Sequence, residues 1–284
     1  PDFNLGLEAR LKAEGIKTVH FVSPSIWAWR GGRIHKIHRS VDHMLCLFPF
    51  EPKLYHDHGI AATFVGHPLA DTIPLEVPRA QARVSLGLDE QTPVVAILPG
   101  SRRGEVQHNT PAFLQTVALL SRQRPDLRFV LPVVPGLRDM VEPMVREHAP
   151  DAPLTLLDGR SHEALAACDV TLIASGTATL EAALFKRPMV IAYKISGLSW
   201  QIMKRMAYLP WVGLPNILLS DSVVPERLQD EANPAQLAAD VLAWLDQPAR
   251  AASVQQRFLE LHHQLKQDTA RAASDAIAQV LETR

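Results

Sequence analysis

The stretch Val94-Val95-Ala96-Ile97-Leu98-Pro99-Gly100-Ser101-Arg102-Arg103-Gly104-Glu105 decides the fold. A short, largely β-branched apolar run reads as a strand, and Pro99-Gly100 ends it. The same grammar returns at Val170–Ala174, which enters Ser175-Gly176-Thr177-Ala178-Thr179-Leu180-Glu181. Between and after these strands the pattern alternates. A helix is expected around Pro111–Gln123, a strand at Phe129–Val134 and a helix at Leu137–His148. A strand at Leu154–Leu157, a helix at Ser161–Ala167, a helix at Ala178–Phe185 and a strand at Met189–Tyr193 complete the series. Strands separated by helices imply a parallel sheet, here a doubly wound, Rossmann-like unit.

Upstream the same alternation is shorter. Leu5–Glu14 reads as a helix ended by Gly15, Thr18–Val22 as a strand and Arg33–Ser40 as a helix. His43–Leu47 reads as a buried strand, Phe50–His58 as a helix stopped by Gly59, and Thr63–Val65 as a strand. Downstream, from about Ala249, one long helix is expected, with Val254, Phe258, Leu261 and Leu265 on one stripe and an apolar face later at Ala276, Ile277, Val280 and Leu281. The expected division is residues 1–72 as a first lobe, 73–79 as a linker, 80–248 as the second lobe, and 249–284 as a helical segment packing back toward the first. Two α/β lobes with a cleft between them make a GT-B-like architecture. Three strands are few for a first lobe, and the opening Pro1-Asp2-Phe3-Asn4 reads as a chain already inside a domain. Sequence upstream of Pro1 is therefore expected.

Composition narrows the function. The 284 residues are 47% hydrophobic and 21% charged, with a net charge of −1. No overall field draws nucleic acid, so basic surface is local and no nucleic-acid partner is expected. Cys46 and Cys168 sit in apolar runs, as buried thiols rather than a disulfide framework. The longest apolar candidate, Met206–Leu219, is short and carries Pro210 and Pro215. It allows a peripheral membrane contact and no span.

Four constellations carry chemistry. After the first strand, Gly100 and Ser101 permit close approach of a ligand, and Arg102 or Arg103 can neutralise a diphosphate. The same residues fit an ordinary strand–helix turn with surface arginines. After the second strand, Ser175, Gly176, Thr177 and Thr179 stand at a helix start, where free N–H groups and the dipole favour phosphate. Glu181 can accept hydrogen bonds from ribose hydroxyls. A capped helix with a dipole-friendly Glu explains the pattern as well. Neither loop is a Walker A or Gly-x-Gly-x-x-Gly motif.

The third constellation is Trp27, Trp29 and Arg30, followed by Arg33, His35, Lys36, His38 and Arg39. Indoles beside a basic run suit sugar, phosphate or lipid headgroups, or else a core followed by a solvated helix. The fourth is Leu214-Pro215-Asn216, whose amide both donates and accepts, as uracil requires, and which equally suits a turn. His67, in Gly66-His67-Pro68, follows a strand and either lines the cleft or makes a turn. The remaining histidines lack partners at metal-ligand spacing, so no metal is expected.

Five segments together carry a resemblance: PSIWAWR at Pro24–Arg30, GHPLAD at Gly66–Asp71, LPGSR at Leu98–Arg102, ASGTATLE at Ala174–Glu181 and LPN at Leu214–Asn216. In order and spacing, over essentially the whole chain, they resemble the lipid-A-disaccharide synthase family. The resemblance implies an inverting glycosyltransferase of lipopolysaccharide synthesis in Gram-negative bacteria. It would join UDP-2,3-diacylglucosamine to 2,3-diacylglucosamine 1-phosphate, releasing UDP, without cofactor or metal. It implies a cytoplasmic enzyme, peripheral on the inner membrane, and a homodimer exchanging C-terminal segments. It places Arg102 at the UDP phosphates, Ser175, Gly176 and Thr177 in the helix-start loop, Glu181 at the ribose and Asn216 at the nucleotide. The family's general base, an aspartate, is expected just before Pro1, and a Gly/Ser-rich segment further upstream. Asp2 faces elsewhere, so a chain starting at Pro1 is expected to bind UDP without turnover. Two other functions remain open from sequence: a UDP-sugar 2-epimerase-like isomerase on the same architecture, and a catalytically incomplete UDP-binding module.

Overall fold

The computed structural model describes residues 2–195, 200 and 208–282. The chain forms two compact units. The first takes residues up to Ile73, residues 208–210 and those from His262 onward; the second takes Pro74–Trp200 and Trp211–Leu261.

In the first unit, strands β1 (Val19–Phe21), β2 (His43–Cys46) and β3 (Ala61–Phe64) lie parallel in the order β1-β2-β3. Side chains alternate along β2, so one strand serves two cores. Met44 and Cys46 join Leu5, Ile34, Ile37, Tyr55 and Ile60 from helices α1 (Asp2–Ala13), α2 (Ile34–Ser40) and α3 (Glu51–His56) and the α3–β3 turn. Leu45, and Leu47 just past the strand, face the other way and meet Val65 and Ala276. Ala276 belongs to the last helix, so the C-terminus covers a sheet face laid down by residues more than 200 positions earlier.

That docking is made by the Gly66–Asp71 segment, which opens the short helix α4 (Pro68–Thr72). Gly66 has φ +83, and a Cβ there would lie 2.6 Å from the Gln267 side chain and 2.7 Å from the Leu265 carbonyl. His67 donates its backbone N–H to Leu265 O at 2.9 Å, and His262 Nε2 lies 2.8 Å from Ala70 O. The Asp71 carboxylate accepts the backbone N–H groups of Asp268 and Thr269 at 3.1 and 2.7 Å. Burial opposes ionisation, yet those bonds hold the Asp71 carboxyl below its ordinary range.

The expected single C-terminal helix is corrected accordingly. Of the described residues, a helix at Pro248–Leu265 and another at Thr269–Glu282 are separated by a turn in which Asp268 has φ 52. The apolar stripe runs through both, so periodicity alone could not locate the break.

In the second unit, β4 (Val94–Leu98), β5 (Arg128–Val133), β6 (Leu154–Asp158), β7 (Val170–Ala174), β8 (Met189–Tyr193) and β9 (Glu226–Leu228) form a parallel sheet ordered β6-β5-β4-β7-β8-β9. From β4 the chain builds outward to β6, returns beside β4 as β7, and builds the other way. Right-handed crossovers then place α6 (Arg103–Gln123) and α7 (Arg138–His148) on one face, and α8 (Ser161–Ala167) and α9 (Thr177–Leu184) on the other. Helix α5 (Arg79–Leu86) packs on α8. Among the described residues, the sequence reading missed α10 (Leu214–Leu219), β9 and α11 (Pro234–Asp246). Asn233 caps α11, accepting the Gln236 N–H at 3.0 Å, with Pro234 in the first turn. The part of Met206–Leu219 before Tyr208 lies outside the described residues; among those described, no helix is long and apolar enough to cross a membrane.

Helix α6 starts eight residues before the expected Pro111, which lies inside it. Proline at a helix start is a reasonable inference. Here the cap lies at Arg102 and Glu105 instead, so the Leu98–Arg102 motif runs straight into a helix N-terminus.

Arg83 ties the second unit together. It is 1% exposed, with Nε donating to Ala167 O at 2.9 Å and Nη2 to Asp169 at 2.8 Å. Its Nη1 faces the carbonyls of Asp89, Glu90 and Thr92 at 2.7, 2.8 and 2.8 Å. Removing one partner of a buried charged network leaves the rest unsatisfied. Arg83→Met is expected to destabilise the protein by about 3–5 kcal/mol, measured by urea unfolding. A loss below about 1 kcal/mol would show the network to be dispensable.

Candidate functional site

Strands β4 and β7 pair directly, with Leu98 opposite Ile173. Their exits, Pro99-Gly100-Ser101 and Ser175-Gly176, therefore emerge side by side at the carboxyl edge of the sheet. The strand order reverses between these two strands, and open parallel sheets bind ligands in the crevice at such a switch point.

The two exits differ electrically. At the α6 end, Glu105 folds back, and its Oε2 accepts the backbone N–H groups of Ser101 and Arg102 at 3.1 and 3.3 Å. Arg102 donates to the other oxygen at 2.7 Å while its side chain remains 83% exposed. At Gly100 φ is +132, and a Cβ would lie 2.6 Å from Glu105 Cβ, so the glycine makes room for Glu105.

At the α9 end, Gly176 is the N-cap and offers no side chain. Helix geometry leaves the first N–H groups without intrahelical acceptors. Among the described residues, no acceptor takes those of Thr177 or Ala178. Gly176 and Thr177 are exposed. The hydroxyls expected to help are engaged: Ser175 Oγ donates to Val212 O at 2.9 Å, and buried Thr179 donates to Gly176 O at 2.7 Å. Glu181 lies one turn beyond Thr177 on the same side of the helix. It is partly buried, with His162 Nε2 at 3.2 Å from its Oε2.

Asn216 is fully buried, and its amide is spent within the protein. Nδ2 donates to Val224 O at 2.9 Å and Glu226 Oε1 at 2.8 Å, and Oδ1 accepts from Val224 N at 3.1 Å. Glu226 also accepts the N–H groups of Val212 and Gly213 at 2.8 and 3.0 Å. Burial pushes the Glu226 carboxyl up, although these donors oppose the shift. Asn216 therefore braces the turn whose Val212 carbonyl receives Ser175.

Sequence reasoning also passed over Asn109. Its Nδ2 donates to Pro99 O at 3.2 Å and Glu105 O at 2.8 Å, and its Oδ1 accepts from Lys194 N at 2.8 Å. It fastens the β4 and β8 exits together. An asparagine on a long helix gives no sequence signal of this, since its partners lie on separate strands. Burial raises the Tyr193 phenol, with Glu105 adding to the rise. That places Tyr193 beside the α6 cap.

The first unit carries an aromatic group at its strand exits. Trp27 packs edge-on to Phe48 and Phe50, with centroids at 6.2 and 5.3 Å, and Phe48 stacks on His67 at 5.8 Å. Trp27 Nε1 donates to buried Glu51 at 2.9 Å. Glu51 also accepts the N–H groups of Leu47 and Phe48 at 3.1 and 3.0 Å. Trp29 is 42% exposed, with the Arg30 guanidinium 4.4 Å above its ring. Among the described residues, no three His, Cys, Asp or Glu side chains gather as a metal site needs.

A family model described as lipid-A-disaccharide synthetase matches residues 1–280. The chain belongs to the lipid-A-disaccharide synthase family. The lipid-A-disaccharide synthase of Albidiferax ferrireducens is 59% identical over 99% of this chain and 74% of its own length. That of Paraburkholderia phymatum is 53% identical over 100% of this chain and 73% of its own. Among solved structures, a UDP-GlcNAc 2-epimerase from Neisseria meningitidis bound to UDP-GlcNAc superposes with TM-score 0.65 at 10% identity, covering 96% of this chain and 71% of that one. Anabaena HepE in complex with UDP and glucose gives TM-score 0.57 at 14% identity, covering 99% and 75%. These two likenesses concern the fold, which is the GT-B-like α/β architecture read from sequence. With the family in hand, four of the five quoted segments fall into two groups. Those at Leu98 and Ala174 form the strand exits, whereas Gly66–Asp71 seats the C-terminal helices and Leu214–Asn216 braces a turn.

Burial drives the His67 imidazole from 6.5 to about 4, with Asp71 opposing in part. Unfolded chain accepts a proton below about pH 6.5, whereas folded chain refuses it until about pH 4. Stability from this group is complete above the higher value and falls by roughly 3 kcal/mol as pH drops to the lower. The gap in urea-derived stability between wild type and His67→Gln is expected to shrink by most of that amount between pH 6.5 and 4. A constant gap would remove the assignment.

Proposed function

We propose that this chain is an inverting glycosyltransferase joining UDP-2,3-diacylglucosamine to 2,3-diacylglucosamine 1-phosphate, giving the lipid A disaccharide 1-phosphate and UDP. The observation that carries the reading is the pair of strand exits at the switch point, one ending in an open helix N-terminus and the other bearing an exposed arginine, in a chain of this family.

In this reading the diphosphate lies against the Thr177 and Ala178 N–H groups and the Arg102 guanidinium. Negative charge grows on departing UDP, and preorganised donors at that place lower the barrier. Glu181 accepts hydrogen bonds from the ribose. Gly100, Ser101, Gly176, Ser175, Thr179 and Asn216 shape and brace the two loops. The acceptor takes the aromatic edge of the first unit, with Trp27, Trp29, Arg30 and His67 around it. The acceptor hydroxyl attacks C1 opposite the leaving group as a base removes its proton. No residue of this sequence is assigned as that base.

We further propose a cytoplasmic enzyme held peripherally on the inner membrane, acting as a homodimer that exchanges C-terminal segments. Exposed Phe21, Val22, Trp29 and Phe50 on one unit, with Arg30 among them, support the membrane contact. The 2-epimerase likeness is one of fold, and nothing in this chain favours isomerisation.

Two measurements test the reading. Natural full-length protein given both lipid substrates is expected to produce disaccharide and UDP by mass spectrometry; an epimerised sugar nucleotide instead would reject transfer. In this chain, Glu181→Ala is expected to weaken UDP binding about tenfold or more by calorimetry, the scale of a lost charge-assisted hydrogen bond. Unchanged affinity would withdraw the ribose role.

A further inference from the structure

We propose that Glu105 is a resident anion standing where a diphosphate oxygen would sit, so that UDP binding at Arg102 exchanges one anion for another. The inference rests on the reading of Arg102 as a diphosphate ligand and extends it to a residue outside the five segments that carry the resemblance.

The geometry has three parts. The Glu105 carboxylate collects the same donors a phosphate would seek at that helix end: the N–H groups of Ser101 and Arg102 and the Arg102 guanidinium, at 3.1, 3.3 and 2.7 Å. Its side chain is 15% exposed against 83% for Arg102, so the carboxylate is the fixed partner and the guanidinium the movable one. Gly100, at φ +132 and without a side chain, gives Glu105 the room to fold back. The Ser101 and Arg102 N–H groups and the Arg102 guanidinium are therefore engaged by a protein carboxylate before any ligand arrives.

Two consequences follow for the reaction. The nucleotide's phosphates meet the open N–H groups of Thr177 and Ala178 at the start of α9. Arg102 then turns from Glu105 toward the diphosphate, and the Glu105 charge stays close by. A like charge within several ångströms weakens the hold on UDP, which favours release of the product. Glu105 thus acts through Arg102 as a positioning residue.

Glu105→Gln tests this. Glutamine keeps the length and can still cap the helix, so thermal unfolding is expected within a few degrees of wild type. UDP affinity by calorimetry is expected to rise about five- to tenfold while uridine affinity stays unchanged. Glu105→Ala, measured alongside, is expected to move UDP affinity in the same direction. Arg102→Gln is expected to weaken UDP at least tenfold without affecting uridine, and to abolish the effect of Glu105→Gln in the double variant. If Arg102→Gln leaves UDP binding intact, the diphosphate reading of Arg102 is wrong and this inference falls with it. If Arg102→Gln weakens UDP but Glu105→Gln does not tighten it, the inference alone is overturned and Glu105 is only a helix cap.

Discussion

The hydrogen bonds between β4 and β7 are the constraint on which the rest depends. These strands are separated in sequence by two full strand–helix repeats, yet they pair residue for residue from Val95–Val170 to Leu98–Ile173. That pairing reverses the strand order and sends the following helices to opposite faces. It also brings two loops to one edge that would otherwise be strands apart. Slipping the register would flip the side chains of β7 between faces as well as misalign the exits. Continuous burial of both strands makes such a slip costly.

Placement of the loops is then refined by buried polar side chains. Asn109 joins the β4 exit to β8, and Asn216 with Glu226 holds the Val212–Gly213 turn against Ser175. Each of these side chains is satisfied within the protein, which suits positioning better than ligand contact. The result is a division of labour at one sheet edge. A small set of exposed groups, namely the N-terminal N–H groups of α9 and the Arg102 guanidinium, faces outward, and a larger buried set keeps them in register.

Much of this was legible in the sequence, for definable reasons. Strands β4 to β8 are short, largely apolar runs with Gly or Pro near their exits, and such local signals survive into the fold. The start of α6 was misplaced because Pro111 imitates a first-turn proline, whereas the operative cap is a side chain reaching back from Glu105. The break at Asp268 was invisible because the apolar stripe continues across it, and the cause lies far away at Asp71. Strand β9 was missed because its three residues, Glu226-Arg227-Leu228, carry little apolar signal; it exists by pairing with β8. The motif residues were found, but their jobs were not separable by sequence. Asn216 and Thr179 look like donors on paper and prove to be engaged internally.

The reliance of β2 on Ala276 has a bearing on synthesis by the ribosome. The outward face of that strand, Leu45 and Leu47, is made early and closed only by the final helix. The stretch up to Ile73 therefore leaves the exit tunnel with a raw apolar flank that stays uncovered until Ala276 has been made. The second unit closes its sheet earlier in the same process, since all six strands precede Leu261. Nascent chains stalled before Thr269 would be the ones most exposed to chaperone capture and aggregation.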